Sequence, residues 1–224
     1  MWFSIVSIII FFMFGCLQLG YIFSNVIVES GTYVVYGPER TNTNANLKYY
    51  LPYNPVIIEI GPGSGKNALD LSERFPYGQI YTFEADKIIF EKLLLETSIK
   101  NNIRCLNIDF SRRDSSDDLS LGKTPKISID DWIKLNLHHI DMLKLNMHGD
   151  PISILRNAKK ALEHSLIVTI DTTLSKRARG QSSYPQLKTF LKRNGFEELF
   201  HTYIPKQNGE AVFIKKNVFD FFHR

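Results

Sequence analysis

Val56-Ile-Ile-Glu-Ile-Gly-Pro-Gly-Ser-Gly65 is the stretch of sequence that decides the fold. Its first five residues form an apolar run interrupted only by Glu59, a pattern typical of a buried parallel strand. Three glycines at alternate positions follow at once, and glycine allows a loop to turn sharply and to bring a ligand against bare backbone. The stretch therefore predicts a strand, a ligand-binding loop and the start of a helix.

A carboxylate follows the loop at an informative distance. Glu84 stands 23 positions after Gly61, at the end of a second strand-like run over residues 79–84. An acidic residue about 20 positions past a glycine loop is suited to bind the two hydroxyls of a ribose. Together the loop and Glu84 predict a nucleoside-binding βαβ unit. A tight strand-to-helix turn in another α/β protein is the alternative.

The spacing of the glycines narrows the ligand. A phosphate-binding P-loop requires G-x-x-x-x-G-K-[ST], but Ile60 stands in place of its first glycine and Asn67 in place of its hydroxyl residue. The dinucleotide pattern G-x-G-x-x-G fails by one position, because Gly65 comes early and Lys66 takes the last place. The remaining pattern, E-x-G-x-G-x-G, begins at Glu59. It resembles the first motif of class I S-adenosylmethionine-dependent methyltransferases, and this resemblance implies S-adenosylmethionine as the cofactor.

The chain begins with an uncharged apolar segment over residues 2–23. At 1.5 Å per residue, a helix of this length spans a bilayer core of about 30 Å. No basic residue precedes the segment and no A-x-A pattern follows it, which disfavours a cleaved signal peptide, although an atypical signal sequence is the alternative. We interpret residues 1–23 as the transmembrane anchor of a single-pass membrane protein. Arg40 and Lys48 follow the anchor, which favours a cytoplasmic soluble domain.

Composition bounds the remaining organisation. Residues 24–55 contain glycines, prolines and an Asn-rich run, which predict a linker with one short strand, followed by a domain at residues 56–217 and an aromatic tail at 218–224. The net charge of +4 comes without a dense basic run, so nucleic-acid binding is not expected. Cys16 and Cys105 are the two cysteines, and they predict neither a disulfide framework nor a thiolate metal site.

Strand-like and helix-like segments alternate through the domain, which predicts a mostly parallel sheet covered on both faces. Ligands then bind at the carboxyl ends of the strands. The predicted strands cover residues 56–60, 79–84, 103–108, 140–146 and 165–171, with an antiparallel edge pair at 196–204 and 210–216. The predicted helices cover residues 66–75, 152–164 and 185–194, with others starting at Asp86 and Ser128.

A second group of motifs points to one methyltransferase family. Ser128-Ile-Asp-Asp-Trp-Ile133 precedes Ile140-Asp-Met-Leu-Lys-Leu-Asn-Met-His-Gly149, and Ile154-Leu-Arg-Asn-Ala-Lys-Lys-Ala-Leu162 follows. With the glycine motif, these segments resemble the FkbM-type methyltransferases over nearly the whole soluble part. The resemblance implies a Rossmann-like, doubly wound sheet of seven strands and O-methylation of a small molecule or saccharide. A lipid-linked acceptor would suit an anchored protein.

Two departures from the family pattern concern the chemistry. The family has Asp and Glu where this chain has Asn146 and His148. Asparagine cannot serve as a base, whereas histidine can, with an unperturbed pKa near 6.5. His148 is therefore the candidate catalytic base, and a solvated loop histidine is the alternative.

The remaining candidates follow from the resemblance and from position. We expect Glu59 and the backbone of Gly61, Gly63 and Gly65 to bind the methionine end of the cofactor. Asp109, at the end of the predicted third strand, is expected near the adenine.

Weaker candidates are Asp171 at the end of the fifth strand and the basic residues 112–113 and 176–179, which suit an anionic acceptor or lipid headgroups. His138 and His139 lack a third ligand, so no metal site is predicted.

Two alternatives to a methyltransferase remain open at this stage. Loss of both acidic positions allows a membrane-tethered binding protein that keeps the methyltransferase fold but no longer catalyses. A nicotinamide-dependent oxidoreductase is the second alternative, and the early Gly65 disfavours it.

Overall fold

The computed structural model describes residues 26–29, 32–35, 47–110, 124–137, 139–146, 150–171, 182–202 and 209–222. Within these ranges, no helix is both long enough and apolar enough to cross a membrane. The predicted anchor at residues 1–23 lies outside the described residues. The chain divides into two compact units, Met1–Tyr49 and Tyr50–Arg224.

The described part of the first unit contains a β-hairpin. Strand β1, Val26–Glu29, pairs antiparallel with β2, Thr32–Val35. The β-branched and aromatic residues of these two strands favour extended backbone. The hairpin occupies part of the segment that the sequence predicts as a linker with one strand.

The second unit alternates strands and helices through most of its length. Its elements are β3 (Val56–Ile60), α1 (Lys66–Arg74), β4 (Gln79–Phe83), α2 (Lys87–Thr97), β5 (Ile103–Leu106), α3 (Ile129–Asn136), β6 (Met142–Leu145), α4 (Pro151–Leu155), α5 (Lys159–His164), β7 (Ile167–Asp171), α6 (Tyr184–Arg193), β8 (Phe196–Thr202), β9 (Glu210–Lys215) and α7 (Lys216–Phe222).

Seven strands of this unit form one sheet in the order β5-β4-β3-β6-β7-β9-β8. Strands β3 to β7 are parallel, and β9 runs antiparallel to both of its neighbours. The predicted seven-stranded, mostly parallel sheet with an antiparallel pair at one edge is confirmed. The chain order reverses between β3 and β6, so a ligand crevice is expected at the carboxyl ends of these two strands.

Helices cover both faces of the sheet, as expected for a doubly wound fold. On one face, a buried cluster joins alternate strand residues such as Ile58 and Leu143 to Trp132 of α3, Ile154 of α4 and Leu187 of α6. The intervening strand residues, together with α1 and α2, form the second buried face; among its members are Ile57, Ile80, Met142, Ala68, Leu71 and Leu93.

The predicted single helix over residues 152–164 is wrong, because two helices occupy this range. Asp150 and Pro151 begin α4 as predicted, and the chain leaves helical geometry before α5 begins at Lys159. The Asp130 carboxylate of α3 accepts hydrogen bonds from the backbone N–H groups of Lys160 and Ala161, each at 3.0 Å. This tertiary contact caps the second helix and stabilises the break, since α5 has no N-cap side-chain hydrogen bond of its own.

Candidate functional site

The glycine loop lies at the reversal point of the sheet and adopts the conformation that its residues allow. Gly61, Gly63 and Gly65 have φ values of 73°, 57° and 81°, a left-handed region that other residues rarely adopt. The Gly61 N–H donates to the Phe83 carbonyl at 2.9 Å, and the Gly65 N–H donates to the Pro62 carbonyl at 3.1 Å. These bonds tie the loop to the end of β4 and fix its turn into α1.

Two of the three glycines serve different purposes. A Cβ atom added at Gly63 would meet no atom within 4 Å, so the backbone there faces open space. A Cβ atom at Gly65 would lie 2.8 Å from Cδ1 of Leu93 and 3.2 Å from Cγ2 of Thr97. Gly63 therefore leaves room for a ligand against the backbone, whereas Gly65 allows α1 to begin close to α2.

A cavity of about 380 Å³ opens beside the loop on the side of α2. It is lined by Gly63, Ser64, Ile89, Lys92, Leu95 and Glu96. The open side of Gly63 thus adjoins a space large enough for part of a nucleoside ligand.

Glu84 directly follows β4, one strand away from the glycine loop. Its side chain is buried, and Oε1 accepts a hydrogen bond from the Asp86 N–H at 3.0 Å. The Asn107 side-chain amide donates to the Glu84 carbonyl at 2.8 Å, and Thr124 Oγ1 donates to the Ala85 carbonyl at 2.9 Å. Residues from three segments therefore hold Glu84 at the carboxyl edge, where the sequence predicts a ribose-binding group.

The sequence predicts that Asp109 ends the third strand of the domain, and this prediction is wrong. Strand β5 ends at Leu106, because the Asn107 side chain turns to the carbonyls of Glu84 and Ala85. Asp109 instead forms an isolated bridge with Lys126 beyond the strand. Asn107 is therefore the residue that follows β5 at the site, and it is not among the site residues that the sequence predicts.

Glu59, the first residue of the glycine motif, is fully buried in β3. Neither of its carboxylate oxygens has a hydrogen-bond partner among the described residues. Burial raises the pKa of Glu59 to about 7, with Lys144 opposing this rise and Glu210 adding to it. Buried polar atoms without partners are rare, and each calls for an explanation such as a functional role or a bound water or ion. Glu59, two residues before Gly61, is therefore a buried carboxyl group whose presence the packing alone does not explain.

A row of polar side chains crosses the sheet at the level of Glu59. In the register of the parallel strands, Glu59 lies between Thr82 of β4 and Lys144 of β6, and Thr169 of β7 follows Lys144. All four side chains are buried, and the hydroxyl groups of Thr82 and Thr169 have no partner in the described part of the chain. Lys144 forms an ion pair with Glu210 of β9. In the sequence, this row is indicated only by Glu59 and Lys144, each of which is an ionisable residue within an apolar strand.

The other side of the crevice begins at Asn146, directly after β6. Its N–H donates to the Ile60 carbonyl at 2.9 Å, so Asn146 adjoins the start of the glycine loop. Asp171 ends β7, as predicted, and is the register partner of Glu210. His148 lies outside the described residues, as do residues 112–113 and 176–179.

The described residues contain no group of three side chains that would hold a metal ion. The Nε2 atom of His139 lies 3.6 Å from Asp141, whose carboxylate accepts a hydrogen bond from the Val56 N–H at 2.8 Å. This pair lies at the start of β6, away from the carboxyl ends of the strands. His138 is outside the described residues.

The chain matches no protein-family model and no curated protein. It is similar, however, to solved structures of methyltransferase folds. Fibrillarin of Methanococcus jannaschii, a pre-rRNA processing protein, has a TM-score of 0.56 and 12% identity, over 86% of this chain and 82% of that chain. Aeropyrum pernix fibrillarin, solved with natively bound S-adenosyl-L-methionine, has a TM-score of 0.52 and 14% identity, over 73% and 69% of the two chains.

A third similar structure is TrmK of M. capricolum in complex with S-adenosyl-homocysteine, the product of its natural cofactor. It has a TM-score of 0.53 and 10% identity, over 81% of this chain and 70% of that chain. The fold is that of the S-adenosylmethionine-dependent methyltransferases. The antiparallel β9 also distinguishes this sheet from the dinucleotide-binding order 3-2-1-4-5-6.

Proposed function

We propose that this protein is a S-adenosylmethionine-dependent methyltransferase that transfers a methyl group to an oxygen atom of a small-molecule, saccharide or lipid-linked acceptor. The observation that carries the proposal is the open backbone of Gly63 at the reversal point of the sheet, with the Glu84 carboxylate on the next strand. A methyltransferase fold places its nucleoside ligand at such a point.

The residues present fit this cofactor. The glycine loop leaves room against Gly63 that any side chain would fill. Glu84 supplies a carboxylate for the ribose hydroxyls, and the unpartnered Glu59 carboxyl group suits the amino group of the methionine end. Asn107 and Asp109 lie beyond β5, on the side where the adenine would rest.

S-adenosylmethionine supplies a methyl group that is already activated on its sulfonium. The protein has to hold the acceptor oxygen in line with that group and exclude water, and orientation of this kind is worth about 7–11 kcal/mol in favourable intramolecular reactions. A base that takes up the proton of the acceptor hydroxyl adds about 10²- to 10⁴-fold. We assign this role to His148, which follows Asn146 by two residues in the block that resembles the FkbM-type family.

Calorimetry with S-adenosylhomocysteine tests the cofactor directly. Full-length protein in detergent should bind S-adenosylhomocysteine and should not bind NADH. The Gly63→Val variant should lose this binding while its circular dichroism spectrum is unchanged. Tight binding of NADH, with none of S-adenosylhomocysteine, would favour the oxidoreductase alternative instead.

The acceptor class needs a separate assay with radiolabelled methyl groups. Small hydroxylated molecules, saccharides and lipid-linked saccharides should each be offered, and RNA should serve as the comparison acceptor because one similar protein is described as a pre-rRNA processing protein. Methylation of RNA alone would overturn the proposed acceptor class and leave the cofactor assignment intact.

A catalytically lapsed binding protein is the second candidate function. The observation that favours it is Asn146, which adjoins the glycine loop through the Ile60 carbonyl and carries an amide where the resembling family has an acid. This candidate expects cofactor binding without turnover. If the double variant Asn146→Asp with His148→Glu gains activity over a silent parent, the natural protein is a lapsed enzyme.

We also propose that residues 2–23 anchor the protein in a membrane with the soluble domain in the cytoplasm. Full-length protein should then remain with membranes after alkaline carbonate extraction, and protein that starts near Asn46 should not. A mature N-terminus after residue 16 would instead indicate a cleaved signal sequence.

A further inference from the structure

The ion pair between Lys144 and Glu210 joins a buried lysine to a partly buried glutamate across the sheet. Burial of a charge costs free energy unless the charge is paired. Lys144 is buried at 6% exposure and pairs with Glu210, which belongs to a strand two positions away. Replacing such a pair with apolar residues is often neutral or stabilising. Stability alone therefore does not explain why charges stand here.

The register of the sheet places a third charge beside this pair. Glu59 and Lys144 are direct partners on the neighbouring parallel strands β3 and β6, so their side chains leave the same face of the sheet. Glu59 has no hydrogen-bond partner among the described residues, and the charges of Lys144 and Glu210 act on its pKa, Lys144 lowering it and Glu210 raising it. Lys144 thus lies between two carboxyl groups and bonds to the more distant strand.

Among the described residues, the adjacent strand positions and the buried positions of α1 and α2 contribute no charge at this level. Thr82 of β4 and Thr169 of β7 present hydroxyl groups in the same row. The buried residues of α1 are Ala68, Leu71 and Ser72, and those of α2 are Leu93 and Thr97. Burial has the largest effect on the pKa of Glu59, and among the described residues Lys144 and Glu210 are the charged groups that modify it.

We propose that Lys144 is a positioning residue that keeps the Glu59 carboxyl group charged for the amino group of the cofactor, while Glu210 limits this effect by holding Lys144 from the other side. The inference rests on the proposed function, because it assumes that Glu59 receives a cationic group. Lys144 itself does not touch the ligand. Its influence is exerted through the charge of Glu59, which makes the affinity for the cofactor depend on pH.

The affinity of the full-length protein for S-adenosylhomocysteine, measured by calorimetry from pH 5.5 to 8.5, tests this proposal. Wild-type affinity should fall as the pH decreases through about 7, the pKa of Glu59. Lys144→Met removes the cation and should raise the midpoint by about one pH unit, which weakens binding at pH 7 by about fivefold. Glu210→Gln removes the competing anion and should lower the midpoint.

Two further variants distinguish an effect of charge from a loss of the folded structure. Lys144→Met removes the ion pair of Glu210, so the double variant Lys144→Met with Glu210→Gln removes both charges at once. Its midpoint should lie between those of the single variants. Lys144→Arg keeps the charge and should restore a midpoint close to that of the wild type.

The outcomes separate this proposal from the proposed function. Opposite shifts in the two single variants support Lys144 as a positioning residue, since a merely structural role would weaken binding equally at every pH. Normal wild-type binding with the same midpoint in all variants overturns the proposal and leaves the cofactor assignment intact. Absence of wild-type binding at every pH overturns the proposed function and this inference with it.

Discussion

Gly65 lies so close to Leu93 that a single added carbon atom at Gly65 would come within 2.8 Å of the leucine Cδ1. The start of α1 can therefore pack against the middle of α2 only because Gly65 has no side chain. Gly63, two residues earlier, has no such neighbour within 4 Å of an added Cβ. Both glycines have left-handed backbone, so the same substitution causes backbone strain at both positions. Only at Gly65 does it also cause a steric clash with a neighbouring side chain.

Gly65→Ala and Gly63→Ala form this matched pair. Each costs about 1–2 kcal/mol for the left-handed conformation, and Gly65→Ala adds about 1–3 kcal/mol of overpacking against Leu93. Denaturant unfolding should show the larger loss of stability in Gly65→Ala, and calorimetry should show the larger loss of S-adenosylhomocysteine affinity in Gly63→Ala. Equal effects in both assays would contradict the division of roles between these glycines.

Glu84→Gln should weaken S-adenosylhomocysteine binding by about 1–3 kcal/mol with little change in stability. The glutamine oxygen can still accept from the Asp86 N–H, but its amide nitrogen cannot accept from a ribose hydroxyl. Asp86→Ala is the control, because it removes the N-cap of α2 and should cost about 1 kcal/mol of stability. An unchanged affinity in Glu84→Gln would exclude this carboxylate from the ribose site.

Glu59→Gln should change how stability depends on pH in the absence of cofactor. Burial raises the pKa of Glu59 from 4.5 to about 7, so the folded protein binds a proton more tightly than the unfolded chain does. The free energy of unfolding should therefore decrease as the pH rises from 4.5 to 7, by on the order of 3 kcal/mol. This decrease should be absent from Glu59→Gln. Urea unfolding at pH 5 and pH 8 measures it. Parallel changes in both proteins would show that Glu59 titrates normally.

Asp130→Ala should destabilise the protein by about 1 kcal/mol, because it removes the acceptor for the backbone N–H groups of Lys160 and Ala161. Asp130→Asn retains one oxygen acceptor and should lose less. Thermal unfolding of the two variants compares them. If both are as stable as the wild type, the break between α4 and α5 has another origin.

His148→Gln should lower methyl transfer by about 10²-fold or more and leave cofactor affinity nearly unchanged. The wild-type rate should rise with pH through the pKa of the histidine, about 6.5 when unperturbed. Initial rates from pH 5.5 to 8, once an acceptor is known, provide the measurement. A variant that turns over as fast as its parent would return His148 to the role of a solvated loop residue.

The local part of this architecture follows from the sequence. The strand at residues 56–60 and the glycine loop that follows it can be predicted because they depend only on residues that are neighbours in sequence. The Asp86 cap of α2, which the sequence predicts, is equally local. The alternation of strands and helices predicts the mostly parallel sheet, and the two strands that end the domain predict its antiparallel edge pair.

The features that the sequence did not predict depend on contacts between distant residues. The break before α5 requires Asp130, about 30 positions away, and the ion pair of Lys144 requires Glu210, 66 positions away. The end of β5 was misplaced because Asn107 bonds to the end of β4 rather than continuing the ladder. Hydrophobic periodicity carries no information about such partners.

The position of strand β9 in the sheet determines when one edge of the sheet can form during synthesis. It follows β8 in the chain, yet it lies between β7 and β8 and joins them. During synthesis β8 leaves the ribosome first and has no strand to pair with until residues 210–215 emerge. Domains generally fold as units during synthesis. Here one edge of the sheet cannot form until residues 210–215 have been synthesised, and Lys144 remains without its ionic partner until then.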